Sequence, residues 1–397
     1  MNAKESSVIA REGGKMRRRI RVLTVIRQPV GGIRTYLKYT YKHLDRNKYQ
    51  FTILAVKGPE EQLIRADLEE FDLDVKEIEG KHLELLMIYN IFRELRKNKF
   101  HVIHSQGLTA GVLSNLGNLI SRVPHIITPH GVFRSEEFSP PFGKIKRAIL
   151  GRVLGMADII QSVGYDAEEN LVQFLPFLAK KRRKLVVIRN GIMVESLVKN
   201  TEINKRNYRK EIGIDDDVFL FGFLGRFMPQ KGFVYLIDAV EELSKDRQFG
   251  NRFKIIAVND GAFIREYKSI IMEKRLSDYF SFHEFIPNVN EILTELDALV
   301  MPSLWEAYSL LPCEAFILGC PVIASNCIGL REVIKDTPAI VIKEKDSHSI
   351  AEAMTNFMRN PGPIKKKAIE FIGEARERFD SIHTARQLDS LFSRIVR

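Results

Sequence analysis

At 397 residues the chain is two to three times a typical domain, and its 45% hydrophobic and 28% charged composition, with 25 glycines and 15 prolines, excludes wholesale disorder, collagen-like repeats and low complexity. Three cysteines, Cys313, Cys320 and Cys327, are too few and odd in number for a disulfide framework and lack a neighbouring histidine or fourth cysteine, so they read as buried thiols of a reducing compartment. The net charge of +11 is lopsided: residues 1–190 hold 33 Lys and Arg against 20 Asp and Glu, the rest 28 against 30, which points to an anionic partner for the first part.

Residues 1–19 are charged without an apolar stretch, which predicts a disordered basic leader rather than a signal peptide. The apolar segment Gly107–Ile120 is too short to cross a bilayer. The expectation is a cytoplasmic protein, peripheral on the inner face of the membrane. Arg21–Ile26 (RVLTVI) reads as a buried strand, Gly31-Gly32 as a turn, and Ile33, Tyr36, Leu37, Thr40 and Leu44 as the inner face of a helix. Phe51–Val56, Phe100–His104, His125–Thr128, Asp158–Val163 and Leu185–Ile188 are further strands, apolar throughout as parallel strands covered on both faces are.

The pattern restarts at Phe219–Leu224, followed by a helix with Phe233, Leu236, Ile237, Val240 and Leu243 on one face. Strands at Phe253–Val258, Phe280–His283, Ala298–Met301, Pro321–Ser325 and Ala339–Ile342 continue it. Two α/β domains in tandem follow, residues 20–190 and 191–379, with the polar stretch Thr201–Asp217 as the place where the chain passes between them. A C-terminal helix at about 380–397 is expected to pack back on the first domain.

Ligands of open parallel sheets bind beyond the carboxyl ends of the strands, so the residues that follow strands matter most. Gly31-Gly32 opens a helix and lets backbone N–H groups approach an anion, although alone it fits a plain turn equally well. Neither GxGxxG nor GxxxxGK[ST] is present. Gly225-Arg226 and Gln230-Lys231-Gly232 place two cations at a helix start after the first strand of the second domain, an arrangement suited to a diphosphate. Glu306 follows a later strand, and Glu314 lies in the first turn of a helix begun near Pro312 and ended near Gly319. Two carboxylates there suit sugar hydroxyls. A glycosidase pair is the other option, against which the cations argue.

His104 and His130 end strands of the first domain, at its binding edge, whereas His101 and His104 point to opposite faces and chelate nothing together. Asp72-Leu73-Asp74 is a DxD inside an acidic stretch without a convincing strand before it, and reads as solvated surface. The basic clusters Lys144-Ile145-Lys146-Arg147 with Arg152, and Lys180–Lys184, lack the interleaved aromatics of nucleic-acid binders. They suit an anionic membrane or a lipid-linked diphosphate.

Gly225-Arg226…Lys231-Gly232, then Pro302-Ser303…Glu306…Glu314-Ala315…Gly319…Pro321-Val322, together with Gly31-Gly32, His130-Gly131 and Asn190-Gly191 in the same order, resemble the family 4 glycosyltransferases over roughly residues 20–380. The resemblance implies the GT-B fold, two Rossmann-like domains with parallel sheets facing across a cleft. It also implies a hexosyltransferase that takes a nucleotide-diphosphate sugar, retains anomeric configuration and uses no metal or other cofactor, with a sugar or lipid-linked acceptor and no nucleic acid. Such enzymes serve cell-surface polysaccharide or glycolipid synthesis. It assigns Arg226 and Lys231 to the diphosphate, Glu306 to the donor sugar, Glu314 to the ribose and His130 to the reacting centre. Gly31, Gly32, Gly225 and the N–H groups of Leu310 and Leu311 approach the phosphates, and His104 and Asn190 complete the substrate-binding set. Two departures from the family pattern stand out: Ala307-Tyr308 where glycine commonly follows the first Glu, and Asn259-Asp260-Gly261 where Gly-x-Gly is frequent. A nucleotide-sugar epimerase and a non-catalytic basic binding protein are the competing readings.

Overall fold

The computed structural model describes residues 19–28, 31–71, 73–203, 208–284 and 290–396, so the expected leader, apart from Arg19, and Asp72 of the DxD lie outside the described residues. The chain divides into two compact units, Met1–Gly191 with Ser381–Arg397, and Ile192–Asp380.

The first unit holds a seven-stranded, wholly parallel sheet: β1 Ile20–Ile26, β2 Tyr49–Val56, β3 Leu73–Ile78, β4 Val102–Gln106, β5 His125–Thr128, β6 Ile159–Ser162 and β7 Leu185–Val187, in the order β3-β2-β1-β4-β5-β6-β7. The second holds a six-stranded parallel sheet: β8 Phe219–Leu224, β9 Phe253–Val258, β10 Phe280–His283, β11 Ala298–Met301, β12 Val322–Ser325 and β13 Ile340–Ile342, in the order β10-β9-β8-β11-β12-β13. Parallel strands need crossover helices on both faces, which explains their unbroken apolar runs. In each sheet the order reverses once, between β1 and β4 and between β8 and β11, and a crevice at the carboxyl ends of such a pair is where ligands of this fold class bind.

Two strand readings and the expected crossing between units need correction. β3 (LDVKEI) was absent from the expected set because it is an edge strand, and its half-exposed, charged residues obscure the apolar signal. β4 lies two residues later than Phe100–His104, because His104, Ser105 and Gln106 are polar yet fully buried strand residues. The chain passes between units at Gly191 and not within Thr201–Asp217. The polar groups of that stretch are used inside the second unit: Asn290 Nδ2 donates to Thr201 Oγ1 at 3.2 Å, and Arg209 donates to the Glu295 and Val218 carbonyls at 3.2 and 2.9 Å.

The helix Ser381–Ile395 packs against the helix Gly32–Tyr41 and completes the first unit's core, with Leu388 and Phe392 fully buried beside Tyr41, Tyr49 and Phe51. Lys48 Nζ and Tyr49 Oη hold Asp389 of that helix at 2.7 and 2.8 Å. Each large apolar side chain buried there contributes about 2 kcal/mol. The thiols of Cys313, Cys320 and Cys327 are buried and unpaired, and burial pushes those of Cys320 and Cys327 up to about 12, which keeps them as unreactive thiols.

Candidate functional site

The crevice side of the second sheet is built from four tightly interlocked loops. After β8, Gly225 takes a positive φ of 149°, and the exposed Arg226 comes next; among the described residues its side chain forms no hydrogen bond or ion pair. Phe227, fully buried, returns the chain to the core, donating its N–H to the Asp260 carbonyl at 3.1 Å and accepting from the Phe263 N–H at 3.2 Å. A side chain at Gly261 would meet Phe227 N and O at 2.5 Å, so only glycine allows that approach. Asn259, where the sequence departs from the expected Gly-x-Gly, adopts a positive φ of 123°, its Oδ1 accepting from the Asp260 N–H at 2.8 Å.

Lys231 closes a short 3₁₀ turn, Pro229–Lys231, and Gly232 at φ 68° starts the helix Phe233–Leu243. A Cβ on Gly232 would lie 1.9 Å from the carbonyl oxygen of Pro302, which directly follows β11. The Leu304 N–H donates to the Gln230 carbonyl at 2.7 Å, tying the two loops together. Their side chains then converge: Lys231 Nζ and Ser303 Oγ both donate to Glu306 Oε1, at 2.7 and 2.9 Å. Glu306 Oε2 has no protein partner among the described residues and stays available to a ligand hydroxyl. The backbone of Glu306 is pinned by its N–H to the Ile328 carbonyl at 2.9 Å and by Gly329, where a Cβ would come within 2.2 Å of the Glu306 carbonyl. Ser325 Oγ donates to the Ser303 carbonyl.

Glu314 is buried in the first turn of the helix Leu311–Ile317, with Pro312 as its second residue and Gly319 beyond its end at φ 73°. The first bond of that helix runs from the Glu314 N–H to the Leu310 carbonyl at 3.0 Å, so the N–H groups of Leu310 and Leu311 are not used by it. Gly225, Arg226, Lys231, Glu306 and the 310–314 segment thus all follow β8 or β11, the pair that flanks the reversal of strand order. Ser303, Ser325 and Gly232 complete the arrangement. Of these, Ser303 and Gly232 were visible in the sequence motifs and Ser325 was not, and none was marked as a site residue.

The corresponding edge of the first unit centres on His130. Its ring lies edge-on to Tyr36 at 5.1 Å, and Nε2 sits 2.8 Å from Gln106 Oε1. An amide oxygen only accepts, so Nε2 carries the hydrogen and Nδ1 the lone pair. Gln106 Nε2 in turn lies 3.0 Å from His104 Nε2, and His104 Nδ1 lies 2.8 Å from Tyr41 Oη. His104 is 0% exposed with both nitrogens engaged, which corrects its placement on the binding surface: it is a core residue that braces Gln106. Burial drives the imidazoles of His104 and His125 down to about 3 and lowers that of His130 in the same direction, so all three are neutral. Gln106 was the informative residue that sequence reasoning passed over. Gly31, at φ 54°, precedes the helix Gly32–Tyr41, and among the described residues nothing lies within 4 Å of a Cβ position on either glycine. Asn190 is buried, its Oδ1 without a hydrogen-bond partner among the described residues. Asp74 of the DxD is exposed on β3 and pairs with Lys76 at 3.4 Å.

Comparison with known proteins covers both sheets. The family described as Glycosyltransferase Family 4 matches residues 30–196, and that described as Glycosyl transferases group 1 matches residues 204–378. The chain is 26% identical to the O-antigen biosynthesis glycosyltransferase WclY of Escherichia coli over 83% of this chain and 89% of that one. It is 25% identical to the UDP-Gal:alpha-D-GlcNAc-diphosphoundecaprenol alpha-1,3-galactosyltransferase of Escherichia coli over 68% and 70% of the two chains. The crystal structure of Anabaena HepE in complex with UDP-glucose superposes with a TM-score of 0.78 at 18% identity, covering 94% of this chain and 99% of that one, so the two tandem Rossmann-like units are of the GT-B class. With each unit matched by its own family profile, the chain belongs to the family 4 glycosyltransferases, and it is an enzyme of the transferase type.

Proposed function

We propose that this enzyme moves a hexosyl group from a nucleoside diphosphate sugar to a sugar or lipid-linked diphosphate acceptor, with retention of anomeric configuration and without a metal ion, in the synthesis of a cell-surface polysaccharide. One observation carries the reading: at the point where the second sheet reverses its strand order, Lys231 is fixed on Glu306 at 2.7 Å beside the exposed Arg226. The E. coli relatives support the polysaccharide setting, since one is named for O-antigen biosynthesis and the other for a UDP-Gal donor and a diphosphoundecaprenol acceptor. The cationic excess of residues 1–190 suits an anionic, lipid-linked acceptor at the inner membrane face.

In the transfer, the bond between the anomeric carbon and the phosphate oxygen breaks with its electron pair going to the diphosphate. The acceptor hydroxyl oxygen bonds that carbon, and its proton passes to the departing phosphate. Lys231, Arg226 and the N–H groups of Leu310 and Leu311 meet the negative charge as it develops, where a single preorganised donor is worth about 3 kcal/mol. Glu306 Oε2 takes a hydroxyl of the donor sugar, and Glu314 the ribose. On the first unit, neutral His130 presents Nδ1 as an acceptor.

Two measurements test this. Thermal unfolding against a panel of nucleotide sugars is expected to single out one donor, because a ligand at a hundred times its Kd stabilises by about 2.7 kcal/mol; free nucleoside diphosphate should then be released only with acceptor present, at a rate EDTA leaves unchanged. Acceptor-independent conversion of the sugar, or loss of activity on chelation, refutes the proposal. Gln106 is assigned as a positioning residue for His130. Gln106→Leu is expected to lower kcat about tenfold with little change in KM for the donor. Gln106→Glu would set a carboxylate against Nε2 and raise the imidazole's proton affinity, moving the acid limb of the pH–rate profile to higher pH. A profile that stays in place would remove the assignment.

A further inference from the structure

The helix Gly143–Leu154 of the first unit has two apolar faces. One is accounted for: Gly143, Gly151 and Leu154 are buried, with Gly143 so close to the preceding turn that a Cβ would sit 1.8 Å from the Phe138 carbonyl. The other faces water. Phe142 is 71% exposed, Ile145 and Ile149 each 58%, and Met156 45%, at the spacings of three, four and seven that align side chains along one stripe.

Along the helix that carries this stripe the charge has one sign. From Phe138 to Ala157 the sequence holds Lys144, Lys146, Arg147 and Arg152 and no Asp or Glu. None of the ion pairs formed among the described residues involves these four. Aromatic faces hold three of them instead: Arg147 lies 5.0 Å from the Phe138 ring and Lys146 5.2 Å, and Arg152 shares Phe177 with Lys181 at 5.7 and 4.8 Å. Lys181 and Lys184 donate to the Gly155 and Ala157 carbonyls at 3.0 and 2.6 Å, joining the second basic cluster, with exposed Lys180, Arg182 and Arg183, to the carboxyl end of the same helix. In the same helical layer, the helix Leu108–Gly117 packs against both this helix and Leu83–Lys97. A groove of about 370 Å³ is lined there by exposed Leu85, Tyr89, Leu119 and Ile120.

We propose that Phe142, Ile145, Ile149 and Met156 with their flanking cations form a docking surface for an anionic lipid bilayer, the helix lying in the interface with its outer stripe among the acyl chains. Charge complementarity selects this occupant. A second copy of the chain related by a twofold axis would set the same unpaired cations against each other, whereas acidic headgroups neutralise all of them while the acyl chains take up the apolar stripe. No helix among the described residues is long and apolar enough to cross a membrane, so the contact is one of surface docking. The inference deepens the proposed lipid-linked acceptor reading, yet lipid binding is measured without any sugar.

Co-sedimentation of the full chain with phosphatidylglycerol-containing vesicles, and not with pure phosphatidylcholine vesicles, is the expected result. Ile145→Ser with Ile149→Ser should lower the partition coefficient at least about tenfold, as should Lys144→Glu with Arg152→Glu. Both double variants should keep the parent rate on a water-soluble acceptor, and Lys231→Ala should still bind vesicles. These arms separate a failure of docking from a failure of the transferase reading. Equal binding to both vesicle types, binding unchanged by either pair, or a vesicle-free dimer abolished by Ile149→Ser would each overturn the proposal.

Discussion

Lys231→Ala is expected to lower kcat by about a hundredfold or more, with the thermal midpoint almost unmoved. The side chain is 22% exposed, its charge held at 2.7 Å from Glu306 Oε1, and the turn that carries it is locked to the loop after β11. Such a cation needs no reorganisation when the diphosphate departs, so its loss acts on the transition state more than on donor affinity. Removal also leaves the nearly buried Glu306 carboxylate with Ser303 as its single hydrogen-bond donor among the described residues, which loosens the group assigned to the donor sugar. Initial rates of nucleotide release across donor concentrations separate kcat from KM. A near-parent kcat would refute the role of Lys231, and Lys231→Arg is expected to recover part of the rate. The double substitution with Glu306→Gln should cost less than the sum of the two single ones, because the two groups work as a pair.

Gly232→Ala is expected to destabilise the second unit by about 3 kcal/mol, a drop of roughly 6 to 12 °C in its unfolding transition. Two causes act together. At φ 68° any β-carbon is strained, and here it would also lie 1.9 Å from the Pro302 carbonyl oxygen. Gly213 separates them: its φ is 66° with nothing within 4 Å, so Gly213→Ala carries the conformational cost alone, about 1 kcal/mol. Calorimetry on the two variants and the parent measures the difference. Equal shifts would mean that the Pro302 segment yields freely and that the Lys231 turn is less firmly held than the geometry indicates.

Much of this architecture can be read from the chain without coordinates, for a physical reason. β5, β8, β9 and β11 fall on the expected runs residue for residue, since strands covered on both faces are apolar along most of their length, and the half-buried edge strand β10 matches its expected bounds through Phe280 and Phe282. β3 escapes because an edge strand is wet on one side, and the end of β4 escapes because His104 and Gln106 satisfy their polarity through partners far away in sequence. The motif residues after β8 and β11 were likewise visible, because topology puts loop residues of a parallel sheet at the crevice. The pairing of Lys231 with Glu306, 75 positions apart, and the contact of Gly232 with Pro302 were not, because they depend on how two loops meet. His104 carries the plainest lesson: it was read as ending a strand, whereas it lies in the middle of β4, enclosed by Tyr41, Thr128 and Phe392.

The helix Ser381–Ile395 gives the first unit a discontinuous origin in time. A ribosome releases the seven strands of the first sheet early, yet Leu388 and Phe392, which seal the face over Tyr49 and Phe51, are translated only after the second unit. The nascent first unit therefore waits, with an aromatic surface uncovered, while the whole second unit emerges and folds. A premature stop shortly before residue 381 should accordingly yield a product that chaperones retain or proteases clear, even though both sheets would be present in it.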